Sequence, residues 1–211
     1  MYWPRKSYAQ MGEDLIIENN LNKYKLSGST LTYLEIGTNH PCDSSNTFLF
    51  YEQGARGILV EPDKYYWDII AEKRPEDNLV KACVANYNSE EADFYVLTAR
   101  SLNTLKKSSA DFSCQNKLVG KQKIENVIKV PVLHVNRLLG QFAQWPNIIS
   151  IDTEGLDFDI LNAINWNKYK TEIVCAEAGD QKEDIMSLMT KKGYKVIGDN
   201  CLNIIFGRKN G

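Results

Sequence analysis

Four carboxylates stand where short apolar runs end, and they are the first candidates for catalytic or ligand-binding residues. Glu35, Glu61 and Asp152 each close an otherwise apolar run, and Glu177 stands near the end of a fourth. Acids are poor strand formers and poor core residues, so their recurrence at strand ends indicates a shared role. In an open parallel sheet, ligands bind outside the carboxyl ends of the strands. The pattern therefore predicts one crevice lined with carboxylates.

The first of these strand ends runs into a turn that contains a single glycine. Glu35 and Gly37 begin the stretch EIGTNHPCDSSN, and Glu61 closes the next strand. A glycine there permits an unusual φ or the close approach of a ligand to the backbone. An acid after the second strand is where doubly wound proteins bind a ribose, because a carboxylate offers two acceptors to the two donors of a diol.

The composition of the turn discriminates between adenosine-containing cofactors. A dinucleotide needs GxGxxG, so that its pyrophosphate can rest on a helix N-terminus. This turn has one glycine, and Glu35 before it is badly placed for a diphosphate. S-adenosylmethionine has no phosphate and carries a sulfonium and an ammonium, so an acidic turn favours it. The alternative is that Glu35 and Asp152 only cap neighbouring helices.

Strand-like and helix-like segments alternate along the chain, and they would position these residues. The predicted strands are 31–36, 57–61, 78–85, 92–98, 128–133, 147–152, 171–178, 194–198 and 201–207. The predicted helices are 10–21, 44–53, 63–74, 135–143, 156–164 and 182–192. The alternation predicts an α/β fold: a mainly parallel sheet with helices on both faces, closed by an antiparallel hairpin.

We interpret residues 1–211 as a single domain. Residues 1–30 form a leading helical segment, and residues 100–126 form a variable insertion or loop. The latter is rich in Lys and Ser and lacks a clear period. Its basic residues are interpreted as a solvated face, because charge runs usually are.

Bulk composition excludes several classes of protein. The chain is 43% hydrophobic and 25% charged with a net charge of -2, which is typical of a soluble globular protein and not of a nucleic-acid binder. No apolar run is long enough to span a bilayer, and the first residues lack the apolar core of a signal peptide. The five cysteines contain no CxxC pair, which argues against a zinc site or a disulfide framework and predicts a cytoplasmic protein. The oligomeric state stays open, a homodimer included.

Several stretches, in order, resemble the motifs of FkbM-type methyltransferases. They are YAQMGEDLII, LEIGTNHPCDSSNTFLFYEQGARGILVEPD, KVPVLHVNRLL and ISIDTEGLDFDIL, with Ala55 in GARG where the family has an aromatic residue. The resemblance implies a class I, Rossmann-like fold with a seven-stranded sheet. It also implies an S-adenosylmethionine-dependent enzyme that O-methylates a sugar or another small carbohydrate-derived acceptor, in polysaccharide or secondary-metabolite biosynthesis.

Carried over position by position, the resemblance also implies the cofactor contacts. Taken from the methionine end through the ribose to the adenine, they are Glu35, Gly37, Thr38, Ser45, Asn46, Glu61, Pro62, Asp63, Ala82, Cys83 and Val84. Asp152 would lie next to the reacting methyl group, and Gln10 in the leading motif would close over the cofactor.

A hydroxyl acceptor must also lose its proton, to a general base or with the help of a metal that lowers its pKa. The candidate bases are His40 in the first loop and Asp152. The alternative for His40 is that it shapes the turn before Pro41. Five acids gather near two strand ends, Asp152, Glu154, Asp157, Glu177 and Asp180, and oxygen ligands of this kind suit Mg²⁺. Asp152, Glu177 and Asp180 are the predicted ligands; the alternative is that Glu154, Asp157 and Asp180 are solvated acids at helix starts. His134 is expected to cap or pack.

Two other functions are weighed beside methyl transfer. An NAD-dependent oxidoreductase would use a similar sheet, but the missing GxGxxG argues against it. A binding module without catalysis would keep the fold and the cofactor contacts. Methylation of a nucleic acid is disfavoured by the charge and by the lack of an NPPY-like motif for a flipped base.

Overall fold

The computed structural model describes residues 6–26 and 30–209, so parts of the predicted leading segment and the two last residues lie outside the described residues. The helices are α1 (Glu13–Leu21), α2 (Phe48–Glu52), α3 (Trp67–Lys73), α4 (Lys107–Gln115), α5 (Val135–Leu139), α6 (Asp157–Ala163) and α7 (Lys182–Lys191). The strands are β1 (Thr32–Ile36), β2 (Arg56–Val60), β3 (Asn78–Val80), β4 (Cys83–Ala85), β5 (Ser89–Leu97), β6 (Ile124–His134), β7 (Ile148–Ile151), β8 (Ile173–Glu177), β9 (Tyr194–Asp199) and β10 (Asn203–Arg208).

Seven of these strands form the main sheet, in the order β3-β2-β1-β7-β8-β10-β9. Strand β1 pairs in parallel with β2 on one side and β7 on the other, and β8 continues the parallel set. Strand β10 runs antiparallel to both β8 and β9. This confirms the predicted mostly parallel seven-stranded sheet with a C-terminal antiparallel hairpin. The carboxyl ends of β1, β2, β7 and β8 consequently lie along one edge.

Helices cover both faces of the sheet, as the alternating pattern predicts. Leu34 and Ile36 of β1 are buried among apolar residues of α5, α6 and α7. Tyr33, on the other face of the same strand, is buried with residues of α1, α2 and α3. Successive side chains of a strand point to opposite faces, so one short apolar run supplies both layers. No helix in the described residues is long and apolar enough to span a membrane.

The prediction of one third strand over 78–85 was wrong, because the chain divides there between two sheets. Strand β3 joins the edge of the main sheet beside β2. Strand β4 instead joins a three-stranded sheet in the order β4-β6-β5. Cys83 and Ala85 are buried there with Phe94, Val96 and Val132, so a separate small core draws the chain away from the main sheet.

The interpretation of 100–126 as an insertion or loop was also wrong in part, since helix α4 lies within it and β6 begins at Ile124. Ala110 is the fully buried residue of α4, so the helix has no apolar stripe that the sequence could reveal. The helix predicted over 44–53 is shorter, because residues 44–47 form a polar turn before α2.

The polar turn before α2 is stabilised by hydrogen bonds from a buried arginine. The guanidinium of Arg74, which follows α3, donates to Glu35 Oε2 at 3.0 Å, to Asp77 Oδ2 at 2.7 Å and to Thr47 Oγ1 at 2.8 Å. It also donates to the carbonyl of Pro41 at 3.4 Å. Burial alone would lower the pKa of Arg74, but the charges of Glu35 and of its other neighbours raise the pKa above its ordinary value. The arginine therefore stays charged and fixes the turn after β1.

Replacing Arg74 with alanine is expected to lower the free energy of unfolding by about 3–5 kcal/mol, because Glu35 and Asp77 would remain buried without their counter-charge. Urea unfolding followed by circular dichroism measures this change. The matched control is Lys73→Ala, the neighbouring cation, whose ammonium is paired on the surface with Glu72 and whose loss should leave the midpoint unchanged. Equal midpoints for Arg74→Ala and the wild type would contradict the assignment.

Candidate active site

A cavity of about 1070 Å³ opens at the edge where the parallel strands of the main sheet end. Most of the predicted site residues line it: Gln10, Gly37, Thr38, His40, Glu61, Pro62, Ala82, Cys83, Val84, Asp152, Glu177 and Asp180. The predicted crevice therefore exists, and three of the four strand-end carboxylates, Glu61, Asp152 and Glu177, face it together. Such a volume is that of an ordinary small-molecule site.

Gly37 forms the floor of the cavity, and the protein backbone itself requires a glycine there. Gly37 has a φ of +82°, and a Cβ at this position would lie 1.8 Å from the carbonyl oxygen of Asp152. Adjacent hydrogen bonds fix the approach: the Asp152 N–H donates to the Ile36 carbonyl at 3.0 Å, and the Gly37 N–H donates to the Val60 carbonyl at 3.1 Å. The single glycine thus lets the ends of β1, β2 and β7 meet.

Glu61 is fixed at the end of β2 with both carboxylate oxygens engaged by backbone. Oε2 accepts from the Asn39 N–H and Oε1 accepts from the Asp63 N–H, both at 2.7 Å. Each oxygen keeps a further lone pair for a ligand. Burial raises the pKa of Glu61 to about 7, although the two N–H donors oppose that rise. The residue can therefore be neutral or charged near physiological pH.

Four predicted cofactor contacts, Glu35, Ser45, Asn46 and Asp63, are not among the residues that line the cavity. Glu35 accepts from Ser45 Oγ at 3.0 Å and pairs with Arg74, on the face of β1 that carries Tyr33. Asn46 donates through Nδ2 to Ser150 Oγ at 3.0 Å. Glu35, Ser45 and Asn46 therefore stabilise the turn through contacts inside the protein and do not line the cavity.

Asp63 ties the segment after β5 to the end of β2. Its Oδ2 accepts from Arg100 and, at 3.0 Å, from Asn103 Nδ2, while Oδ1 accepts from the Tyr65 N–H at 3.0 Å. Arg100 also lies over the Tyr65 ring, 4.4 Å from its centroid. Asp63 therefore fixes a cavity wall and does not itself face the cavity.

His40 lines the cavity, but its Nδ1 is occupied by the backbone. Nδ1 accepts from the N–H groups of Asp43 at 2.9 Å and Cys42 at 3.3 Å. In the neutral ring the proton must then reside on Nε2, which leaves that nitrogen a donor and not a base. This geometry supports the turn-shaping alternative for His40. The other histidine, His134, caps α5 as predicted, accepting from the Asn136 N–H at 3.1 Å.

The remaining carboxylates form a tight cluster in the cavity. One carboxylate oxygen from each of Asp152, Glu154 and Glu177 lies within 4.8 Å of the other two. Burial and the charges of its neighbours raise the pKa of Glu154 to about 8 and that of Glu177 to about 8. Asp152 is open to the cavity, yet the surrounding protein and the charge of Glu177 raise its pKa well above its ordinary value.

The cluster contains two of the three metal ligands predicted from the sequence, Asp152 and Glu177, but not the third. Asp180, the third predicted metal ligand, lines the cavity but lies outside the cluster. Glu154 takes its place, although it was one of the acids that the sequence left open as a solvated residue at a helix start. Glu154 has a φ of +56°, which is uncommon for a residue with a side chain, so the surrounding contacts must hold it.

No Lys or Arg among the described residues forms an ion pair with the cluster. Three carboxylates at this spacing must therefore retain protons or receive a cation from outside. Their chemistry fits a hard divalent ion, for which oxygen is the preferred ligand, and it also fits an organic sulfonium or ammonium. The Thr38 hydroxyl, buried and without a hydrogen-bond partner in the described part of the chain, is a further polar group for a ligand at the same edge.

A sequence model of the methyltransferase FkbM domain matches residues 35–196, which is most of the chain. The match runs from β1, which carries Glu35, into β9, and it therefore includes the acid cluster, Glu61 and α4. No curated protein matches the sequence significantly.

Two solved structures illustrate a distant likeness of fold. A TehB-like SAM-dependent methyltransferase from Corynebacterium glutamicum has a TM-score of 0.47 and 11% identity, over 95% of this chain and 89% of that one. The 1,6-didemethyltoxoflavin-N1-methyltransferase from Burkholderia thailandensis, solved with 1,6-didemethyltoxoflavin and S-adenosylhomocysteine, has a TM-score of 0.45 and 9% identity, over 95% of this chain and 80% of that one.

The raised pKa of Glu154 makes a prediction about stability. The unfolded chain releases this proton near pH 4.5 and the folded protein near pH 8, so the free energy of unfolding falls as pH rises through that window. Glu154→Gln removes the penalty, so at pH 9 its free energy of unfolding should exceed that of the wild type by about 1 kcal/mol or more, which thermal unfolding detects as a higher midpoint temperature. At pH 5 the two proteins should differ little.

The control for this comparison is Glu90→Gln, which neutralises an exposed carboxylate on β5. It should leave the difference between pH 5 and pH 9 as in the wild type. If Glu154→Gln unfolded at the wild-type temperature at pH 9, the crowding of charge in the cluster would be disproved.

Proposed function

Because the chain belongs to the methyltransferase FkbM domain family, we propose that it transfers a methyl group from S-adenosylmethionine to a hydroxyl of a small, carbohydrate-derived acceptor. The observation that carries this proposal is the arrangement of one cavity, with Glu61 at the end of β2 and an acid cluster at the ends of β7 and β8. Glu61 could accept hydrogen bonds from the ribose hydroxyls, and the acid cluster could bind the positively charged methionine part. One cavity therefore offers partners for both parts of this cofactor.

The residues present fit that cofactor. Glu61 would accept the ribose hydroxyls, with Ala82 to Val84 beside the adenine and Gln10 over the open side. The floor at Gly37 has no side chain, and the orphaned Thr38 hydroxyl lies next to it. When bound, S-adenosylmethionine supplies a methyl group on a positively charged sulfur. The carboxylates of the cluster would stabilise that charge and orient the donor.

The same cluster is the candidate for removing the proton of the acceptor hydroxyl. A carboxylate with a raised pKa is a stronger base than an ordinary one and can act near neutral pH. Asp152 is open to the cavity and adjoins Gly37, which makes it our candidate base. His40, whose Nδ1 is bound to backbone, would position the first turn.

A magnesium ion is a second cation that the cluster could hold, through Asp152, Glu154 and Glu177. Three carboxylate oxygens within 4.8 Å of one another offer the ligand type it prefers. There the ion would lower the pKa of a bound hydroxyl, so that a weaker base suffices. We propose this site as part of the same function, with Glu154 in the place first predicted for Asp180.

The single glycine of the first turn weighs against an NAD-dependent reaction. A Cβ at Gly37 would meet protein backbone, so this glycine is used by the fold and does not open a pyrophosphate site. A binding module without catalysis would need no carboxylate cluster beside its ligand. The three crowded acids therefore favour an enzyme over such a module.

The ribose contact predicts a pH-dependent affinity. A charged Glu61 accepts two hydroxyl donors and a neutral one does not, so S-adenosylhomocysteine should bind about tenfold more tightly at pH 8 than at pH 6. Glu61→Gln should weaken binding at pH 8 by about 10- to 100-fold and abolish the pH dependence. Isothermal titration calorimetry measures both.

The control is Glu72→Gln, an exposed carboxylate on α3 whose loss should not alter the affinity. Circular dichroism checks that Glu61→Gln is folded, since the backbone of Asn39 and Asp63 also uses this carboxylate. Wild-type affinity in a folded Glu61→Gln variant would remove the ribose assignment and with it the main support for the cofactor.

The assignment of the base predicts a contrast between two variants. The assay follows methyl transfer from labelled S-adenosylmethionine to a panel of sugars, at cofactor concentrations that saturate each protein. The rate of Asp152→Asn should be lower than that of the wild type by at least about 100-fold, whereas the rate of His40→Ala should stay within a few-fold of it. Chelation by EDTA should lower the wild-type rate, and added Mg²⁺ should restore it. A severe loss in His40→Ala with an active Asp152→Asn would reverse the assignment, and indifference to EDTA would exclude the metal.

A further inference from the structure

One wall of the cavity is formed by α4 and the residues next to it, and not by the main sheet. We call it the α4 wall, and define it as the cavity-lining residues between 106 and 116: Lys106, Ser108, Ser109, Phe112, Ser113 and Asn116. The residues of α4 among them recur at the spacing of neighbouring positions on one helix face. This face therefore looks into the cavity, while Ala110 is buried against the protein.

The α4 wall offers hydrogen-bonding groups that the protein does not use. The hydroxyls of Ser108, Ser109 and Ser113 make no hydrogen bond to any described residue. Asn116 accepts from the Leu118 N–H at 3.0 Å, which leaves its amide N–H groups free. A ligand with several hydroxyls matches this set, because each serine can both donate and accept.

An exposed aromatic ring stands among these polar groups. Phe112 is 61% exposed although it lines the cavity. Its ring gives the cavity an apolar surface on which the C–H face of a pyranose can pack. The residues next to Phe112 on this wall are polar, so the wall sets one ring among several hydrogen-bonding groups. The combination favours a saccharide.

Lys106 adds a positive charge that no carboxylate neutralises. Its ammonium donates to the carbonyl of Gly155 at 3.1 Å and forms no ion pair within the described residues. The neighbouring Lys107, in contrast, pairs with Asp111 outside the cavity. Residues 100–123 contain six basic residues and one acid, in a chain whose net charge is -2. The sequence interpreted these basic residues as a solvated face, and Lys106 among them lines the cavity.

Three contacts hold the α4 wall beside the acid cluster. Thr104 donates to the carbonyl of Glu154 at 3.0 Å, and Lys106 holds Gly155. A Cβ on Gly155 would lie 2.5 Å from Ser109 Oγ, so the two elements are in close contact. Asp157, only 3% exposed and lining the same cavity, keeps one carboxylate oxygen without a partner among the described residues. A hydroxyl of a ligand on α4 is a donor that this region lacks.

We propose that the α4 wall is the acceptor subsite and that it takes a saccharide carrying an acidic group, either a phosphate or a carboxylate. The sugar ring packs on Phe112, its hydroxyls bond to the serines, and its anionic group pairs with Lys106. This inference rests on the proposed methyl transfer, and it adds the charge and the chemical class of the acceptor. The basic wall binds the acidic group while the acid cluster faces the hydroxyl that is methylated.

The test measures binding by saturation-transfer NMR, with four probes: glucose, glucuronate, glucose 1-phosphate and 4-hydroxybenzoate. For the wild type, at least one of the two acidic sugars should bind fivefold or more tightly than glucose. Comparison of glucuronate with glucose 1-phosphate then shows whether the subsite prefers a carboxylate or a phosphate. Lys106→Gln should abolish that preference, because the charge is lost. Phe112→Ser should weaken every sugar by about fivefold, because the ring surface is lost.

Each variant has a matched control on the same segment. Lys107→Gln removes the neighbouring lysine that lies outside the cavity, and Leu118→Ser removes an apolar residue that is 94% exposed and does not line it. Both should bind all probes as the wild type does. Titrations are run with and without S-adenosylhomocysteine, whose own affinity is measured in every protein.

These readouts separate two kinds of failure. If S-adenosylhomocysteine did not bind the wild type, the proposed function would fail, while sugar recognition would still be judged from the other titrations. If no sugar bound, if glucose bound as well as the acidic sugars, or if 4-hydroxybenzoate bound best, the acceptor subsite would be overturned. Unchanged binding in both Lys106→Gln and Phe112→Ser would overturn it as well.

Discussion

A buried guanidinium sets the shape of the candidate site from below. Arg74 is 1% exposed, so its N–H groups must find partners inside the protein. They find Glu35, Asp77 and the oxygens of the first turn, among them that of Thr47. Ser45 of that turn, which the family resemblance predicts to contact the cofactor, also accepts from Arg74, at 3.3 Å, whereas Asn46 donates to Ser150. The turn is therefore rigid before any ligand binds, and preorganisation of this kind lowers the cost of binding.

The close meeting of strand ends adds a second constraint. Gly37 is needed because the backbone of Asp152 occupies the place of its Cβ. The same contact brings the acid that follows β7 to the turn that follows β1. A larger residue at position 37 would separate the two strand ends, and the carboxylates would no longer share a cavity. Gly37 thus contributes to the site through the sheet, by letting the two strand ends approach.

Much of this could be predicted from the sequence, because it depends on local patterns. Apolar runs that end in acids fix the strands and their ligand-binding edge, and alternation with helices fixes a parallel sheet. The orientation of Glu35 depends instead on Arg74, a partner 39 residues away. Period two places Glu35 on the face of Tyr33, so the pattern did contain part of the answer. The pattern did not contain the identity of the positively charged partner, Arg74, which stabilises the buried carboxylate of Glu35.

The α4 wall escaped prediction for a different reason. A helix with serines facing a cavity has the composition of a loop, and only its position in the fold reveals that this face lines the cavity. That position also gives the cavity opposite charges on two walls. Where the carboxylates of the cluster are charged, they repel an anionic ligand, and the ammonium of Lys106 offsets this repulsion at the α4 wall. The acidic saccharide that we propose as acceptor would consequently be oriented by charge, with its acidic group at Lys106 and its hydroxyls toward the carboxylates.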